Sequence, residues 1–224
     1  MIKKSIDGSV NHLLESIKLK NIETVWDRSD QQGPRCGFGE LGLCCRNCNM
    51  GPCRIDPFKE GAQKGVCGAT GEVIVARNFG RMIAAGAAAH SDHGRDVAQA
   101  LLLAAKNPES GYTIKDTNKL KKVANIFGVV IENRSTNEIA ADVAQRALGV
   151  FGQQEGEIPF IRLAPEPRQA IWRRLNMIPR GIDREIVEMM HRTAMGVDQE
   201  HSNIMLQGNR TALSDGWGGS MIAT

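Results

Sequence analysis

Apolar positions recur along most of the chain at helical intervals, and alternation with a period of two is almost absent. That pattern predicts an all-α protein. Val10, Leu13, Leu14, Ile17, Leu19, Ile22, Val25 and Trp26 form the first series, read as one or two short amphipathic helices with Ser9 as the expected N-cap. Gln31 to Pro34 breaks the pattern. It resumes after Thr70, where an alanine-rich stretch to Lys106 carries Val73, Val75, Phe79, Met82, Ile83, Val97, Leu101 and Leu102. Alanine is the strongest helix former, so the stretch predicts a long helix, or two in line bent near His90–Gly94. Asn107-Pro108 ends it, because a residue before proline avoids the α region.

Five further helices are predicted. One runs from about Asp116 to Phe127. The next opens on the capping box Ser135-Thr136-Asn137-Glu138 and buries Ile139, Val143, Ala147, Leu148 and Phe151. Pro165-Glu166-Pro167 introduces Arg168–Met177, stopped by Pro179 and Gly181. Asp183 is expected to cap a helix whose apolar side holds Ile186, Val187, Met189 and Met190, and a last helix from about Gln199 to Asp215 precedes Gly216-Trp217-Gly218-Gly219. No repeat or long linker divides the sequence, so residues 1–224 are read as a single helical domain with one insertion.

That insertion is where the helical pattern lapses, and it holds all six cysteines, at positions 36, 44, 45, 48, 53 and 67. Disulfides need an oxidising compartment, and MIKKSIDGSVNHLLESIK has no apolar core or cleavage site for export. A structural zinc site usually pairs two C-x2-C knuckles, whereas one occurs here, at Cys45 and Cys48. Iron–sulfur ligation, with close thiolates and a distant fourth, suits Cys45, Cys48, Cys53 and Cys67 best. Adjacent side chains diverge on both strand and helix, so Cys44 and Cys45 point to two separate sites. Geometry alone does not say which goes where, because Cys44 and Cys48 also share a face at i, i+4. Four of six thiolates complete one site; the remaining two are half of another, which a two-fold homodimer would complete. Glycines at 37, 39, 42, 51, 65 and 68 let backbone amides approach sulfur, and Arg46, Arg54 and Lys64 are candidates to offset cluster charge.

Charge adds exclusions rather than a partner. With 28 basic and 25 acidic residues, net charge +3 and 4% aromatics, the chain has no basic block suited to nucleic acid. Apolar runs such as Met82–Ala89 and Ala100–Ala105 fall far short of the roughly 20 residues that cross a bilayer, and a soluble, cytoplasmic protein is expected. No nucleotide-binding glycine loop and no Ser/His/Asp arrangement occurs. His90 and His93 share a helix face at i, i+3, as a hydrogen-bonded structural pair or a proton path. His191, His201 and the group Met189, Met190 and Met195 are read as structural.

The run RCGFGELGLCCRNCNMGPCRIDPF, followed by GVCGAT, RMIAAGAAAHSDHGRD, HRTAMGVDQ and RTALSDGWGGSMIAT, closely resembles the N-terminal region of the anaerobic nickel–iron carbon monoxide dehydrogenases. The resemblance implies a helical N-terminal domain in which Cys45, Cys48, Cys53 and Cys67 bind a [4Fe–4S] cluster within one subunit. It implies that Cys36 and Cys44 bind half of a cluster shared across a homodimer. It places His90 near the nickel–iron site as an acid/base group, with His93 next in a relay; Asp96 and Gln99 depart from the histidines that continue it. The implied reaction is CO + H2O to CO2, two protons and two electrons, passed to a ferredoxin-like acceptor, with an acetyl-CoA synthase as a further partner the resemblance admits. Family members continue past the equivalent of Thr224, and their nickel–iron–sulfur cluster lies in that part. These 224 residues are therefore expected to bind iron–sulfur clusters without turning over CO. The alternatives are a non-catalytic iron–sulfur electron carrier or dimerisation module, and a hybrid-cluster-type reductase, which lacks the C-x7-C-C lead.

Overall fold

The computed structural model describes residues 3–224, which fall into two compact units, residues 3–41 and 42–224, the boundary lying within the cysteine-rich stretch. The first unit holds α1 (Gly8–Leu19), α2 (Val25–Gln31) and the single turn α3 (Gly37–Glu40). The cap of α1 is Asp7 and not the expected Ser9. A carboxylate one residue outside the helix accepts the Ser9 N–H at 2.8 Å and the Ser9 hydroxyl at 2.7 Å, which leaves Ser9 inside the first turn. Thr24 and Asp27 close a capping box on α2.

The second unit is built around α4 (Gly71–Lys106), one uninterrupted helix of 36 residues and about 54 Å at 1.5 Å per residue. Thr70 caps its start, and Asn107-Pro108 ends it as predicted. The remaining helices are α5 (Thr117–Phe127), α6 (Thr136–Gly152), α7 (Glu166–Arg174), α8 (Ile182–Arg192) and α9 (His201–Ser214). The Ser135–Glu138 capping box opens α6 as read from the sequence. Helix α7 starts earlier than expected because Pro167 is tolerated in a first turn, and it stops at Arg174, with Asn176 in the left-handed region at φ 52°. Among the described residues no helix is long and apolar enough to cross a membrane.

Two apolar cores form. The larger joins α5 and α6 to the 3-10 turn Pro159–Leu163 and to α7, with Phe127 and Phe160 edge to face at 5.3 Å. The smaller collects Val73, Ile74, Ala76 and Ala84 of α4, Met189 of α8 and Ile204 of α9 around Cys45, Ile55 and Ala69. Gly80 makes room for it, since a Cβ there would stand 2.7 Å from the Met189 sulfur. Only half of the apolar side predicted for α8 is inward: Met189 is buried, while Val187 and Met190 are exposed. Nor does Asp183 cap α8. Gly181 occupies that position, and the Asp183 carboxylate instead accepts the Ser91 hydroxyl at 2.5 Å and Arg95 at 3.1 Å, tying α8 to α4.

Past Ser214 the chain does not stop at its glycines. It continues as a π-helical segment, Asp215–Ser220, and a last turn, Met221–Ala223. Close packing explains Gly94 and Gly218: a Cβ on Gly94 would lie 2.8 Å from the Gly219 carbonyl oxygen, and one on Gly218 would lie 2.7 Å from the Ile182 side chain.

Candidate functional site

The site grows from a sheet too short for any alternation pattern to announce it. Strands β1 (Cys44–Cys45) and β2 (Cys53–Arg54) pair antiparallel, Cys44 opposite Arg54 and Cys45 opposite Cys53. Directly opposed residues share a face and neighbours take opposite faces. Cys45 and Cys53 therefore look one way, Cys44 and Arg54 the other. On the first face Cys45, Cys48, Cys53 and Cys67 all line one small cavity, completed by Asn47, Gly65, Ala69, Ile74, Arg77 and Met195. Cys44 is absent from its walls, and Cys36 stands in the other unit, at the N-terminal end of α3. Cys44, Cys45, Cys48, Cys53 and Cys67 carry no disulfide.

Local backbone shapes the cavity. Gly51 sits so close that a Cβ would meet the Cys45 carbonyl oxygen at 3.0 Å and the Cys53 nitrogen at 3.2 Å, and a Cβ on Gly65 would stand 3.3 Å from that of Cys53. Asn78, from α4, donates to the carbonyls of Gly42 and Cys44 at 3.0 Å each, fixing β1 against the helix. Donors reach the sulfurs: the Val66 N–H lies 3.4 Å from Cys53 Sγ, and Arg77 Nη1 lies 3.5 Å from Cys67 Sγ. Burial pushes the Cys67 thiol up, but the Ala69 N–H, the Arg77 guanidinium and Gln199 together outweigh it and hold the thiol below its ordinary value. Among the described residues no three Cys, His, Asp or Glu side chains converge tightly enough for a single metal ion. The four thiols surround a space instead of meeting at a point.

Arg77 is the residue that sequence reasoning missed. The basic residues read as charge-balancing, Arg46, Arg54 and Lys64, are exposed, whereas Arg77 is 1% exposed. Its Nη2 donates to the Asp198 carbonyl at 2.7 Å, and its Nε, like Asn47 Nδ2, is buried without a partner. A signal was available in its position among Val73, Ile74, Ala76 and Gly80, on the inward side of α4. The loop after α8 closes the cavity: Gln199 donates to the Cys67 carbonyl at 3.0 Å, and Arg192 holds the Asp198 carboxylate at 2.9 Å.

A second constellation lies about 20 Å further along α4, thirteen residues on at 1.5 Å each. His90 Nδ1 meets Asp215 Oδ1 at 2.6 Å. The structure brings His90 to this carboxylate and gives His93 no hydrogen bond or ion pair among the described residues; both rings are exposed. Asp215 opens the π-helical segment, whose backbone presses on Gly94. His191 is exposed, and His201 pairs with its neighbour Glu200 at 3.3 Å. Met189 is core, and Met195 lines the thiol cavity while remaining half exposed.

This arrangement has close counterparts. Carbon monoxide dehydrogenase 1 of Methanosarcina mazei is 55% identical over 222 residues, covering 99% of this chain and 35% of its own length. Carbon monoxide dehydrogenase 1 of Carboxydothermus hydrogenoformans is 44% identical, covering 95% of this chain and 34% of its own. The chain thus spans about a third of the curated relatives it matches. Among solved structures, the as-isolated nickel-free carbon monoxide dehydrogenase of Thermococcus sp. AM4 superposes with a TM-score of 0.89 at 48% identity, over 98% of this chain and 35% of that one. An acetyl-CoA synthase/carbon monoxide dehydrogenase with NiZn[Fe4S4] and NiNi[Fe4S4] clusters in its alpha subunits superposes at 0.87 with 37% identity, over 98% of this chain and 33% of that one. Residues 43–224, which contain the four-thiol cavity, α4 and the His90–Asp215 pair, match the Prismane/CO dehydrogenase family, and the chain belongs to it.

Proposed function

We propose that Cys45, Cys48, Cys53 and Cys67 hold a [4Fe–4S] cluster within each chain, and that Cys36 and Cys44 supply half of a second iron–sulfur cluster shared across a homodimer. One observation carries the first assignment: four thiols and a buried guanidinium with no carboxylate partner enclose one cavity. A buried cation without counter-charge costs several kcal/mol, on the order of a lost buried ion pair. Four thiolates on an iron–sulfur core carry net negative charge and provide that counter-charge. The residues fit such a group in a further respect, since Asn47 Nδ2 is a buried donor on the same wall with nothing to donate to. Bound there, the cluster supplies one-electron transfer. Val66 and Arg77 donate to its ligand sulfurs, while Ala69, Ile74 and Met195 keep water out. The β1 register supports the second assignment, because it turns Cys44 away from the face that carries Cys45 and Cys53.

In this reading residues 1–224 act together as the electron-transferring portion of an anaerobic carbon monoxide dehydrogenase. The overall reaction is CO + H2O to CO2, two protons and two electrons. His90, its ring oriented by Asp215, accepts or returns a proton at Nε2, with Nδ1 held by the carboxylate. His93 is the next candidate on the same helix. Cys36 and Cys44 would hold the shared cluster, which would supply the exit for electrons to a ferredoxin-like acceptor. All six cysteines lie between residues 36 and 67 and are assigned above, so no nickel ligand is assigned to these residues.

Anaerobic loading with iron and sulfide tests this, followed by iron analysis and electron paramagnetic resonance. Four iron atoms per chain should depend on Cys45, Cys48, Cys53 and Cys67 but survive Cys44→Ser, while the bridging signal and the dimer-linked iron should not. CO-dependent viologen reduction should be absent with or without nickel. Turnover by the 224 residues alone, or zinc in place of iron, would refute the proposal.

A further inference from the structure

Arg77 does more than fill space in the wall of the cavity. It leaves α4 on the inward side, and its guanidinium divides its contacts between two unlike partners, the sulfur of Cys67 at 3.5 Å and the carbonyl of Asp198 at 2.7 Å. Asp198 could have neutralised it, but that carboxylate is turned to Arg192 at 2.9 Å, leaving Arg77 only the main-chain oxygen. Among the described residues no carboxylate lies within ion-pair distance of Arg77, and its Nε has no partner. The charge is therefore anchored by the Asp198 carbonyl, shielded from water, and directed at a thiol.

We propose that Arg77 is a positioning residue that sets the reduction potential of the group held by Cys45, Cys48, Cys53 and Cys67, by stabilising its reduced form. This rests on the reading of those four thiols as cluster ligands. Reduction adds one electron and no proton, so the ligand set becomes more negative by one charge. A buried cation against Cys67 Sγ favours that state. Arg46, Arg54 and Lys64 are exposed, where water and salt screen them. Among the described residues Arg77 is the one basic side chain that lines the cavity, and arginine suits the role because its fork serves sulfur and carbonyl together.

The test compares Arg77→Met, Arg77→Gln and Arg77→Lys with wild type in the iron–sulfur-loaded holoprotein. Electrons are supplied by titanium(III) citrate and withdrawn by oxidised viologen, and the reduced cluster is read by electron paramagnetic resonance. At a fixed poise the ratio of reduced to oxidised cluster should fall at least tenfold in R77M and R77Q, about 59 mV for a one-electron couple. R77K should stay within about threefold of wild type by retaining the charge. A neutral variant at wild-type potential overturns the proposal, as does an equal fall in R77K, which would assign the effect to fork geometry instead of charge. If R77M and R77Q shed their iron, retention in R77K supports the charge requirement and loss in R77K overturns it. Failure of the underlying reading shows separately, as a wild-type signal that persists in Cys67→Ser.

Discussion

Two glycines of α4 make a matched experiment. Alanine gains about 1 kcal/mol over glycine in a helix interior wherever there is room for the methyl group. At Gly86 a Cβ would meet nothing within 4 Å, so Gly86→Ala should stabilise by about 1 kcal/mol. At Gly94 the same atom would stand 2.8 Å from the Gly219 carbonyl oxygen and 3.3 Å from Phe151 Cζ. The first is main chain and cannot swing aside, so the helix and the π-helical segment must separate, at a cost of roughly 1–3 kcal/mol for an overpacked contact. With the propensity gain subtracted, Gly94→Ala should be neutral to about 2 kcal/mol destabilising, and the two variants should differ by about 1–3 kcal/mol. Urea unfolding followed by far-ultraviolet circular dichroism on the reduced, iron-free protein measures both. Equal stabilisation in the two variants would show that the close approach of Gly94 to Gly219 is wrong, and with it the argument for how Asp215 is held at His90.

Glu185 is fully buried and takes both forks of Arg180, at 2.9 and 2.8 Å; Glu185→Gln should cost about 1.5–3 kcal/mol in thermal unfolding, since it removes charge-assisted hydrogen bonds from a buried carboxylate while Arg180 keeps Glu188 at 2.5 Å. A loss below about 1 kcal/mol would mean the pair is replaceable. Burial pushes Glu188 up, but Arg180 and Arg192 outweigh it and bring its carboxyl from 4.5 down to about 2. A carboxylate depressed in the folded state contributes stability above its unfolded pKa, so that contribution should be complete above pH 4.5 and vanish as pH falls through about 2. Glu188→Gln should flatten acid unfolding over that window, and an unchanged profile would refute the assignment. In the holoenzyme that carries these residues, Asp215→Asn should lower CO-dependent viologen reduction by roughly a hundredfold with iron content intact, within the range of general acid–base effects. Full activity would remove His90–Asp215 from proton transfer.

What could be read from the sequence was what local chemistry decides. Thr70 and Asn107-Pro108 bound α4, and Ser135–Glu138 starts α6, because caps and proline act on the residues beside them. Four cysteines chosen by spacing line one cavity for the same reason: Cys45, Cys48 and Cys53 lie within one nine-residue span. Where local chemistry offers a choice, packing decides. Asp7 and Ser9 are both competent caps, and the chain uses the first. Asp183 had the composition of a cap but is claimed by Ser91 and Arg95 across 92 and 88 residues. The glycines after Asp215 follow the last predicted helix, yet the chain stays helical through them and Gly219 lies against the α4 backbone at His90 and Ser91, which no local signal encodes. Arg77 escaped for a related reason, because its partner Asp198 lies 121 residues away.

The cradle cannot be a self-sufficient loop stapled by metal. Cys45 belongs to the same apolar core as Val73, Ile74, Met189 and Ile204, and the Cys67 carbonyl is held by Gln199. The thiols are therefore positioned by α4, α8, α9 and the loop before α9, which must pack before the cavity has its shape. Any group bound by all four thiols then stabilises that packing by mass action, and ligand binding and folding become one equilibrium. Arg77 adds a sign to this linkage. In the iron-free protein its charge faces the Cys67 sulfur and a carbonyl, with no carboxylate beside it among the described residues, which penalises the folded state, whereas an anionic occupant relieves the penalty. The same residue that favours the reduced form thus makes the empty cradle the least stable state of the folded chain, so occupancy should raise the unfolding midpoint more in wild type than in R77M.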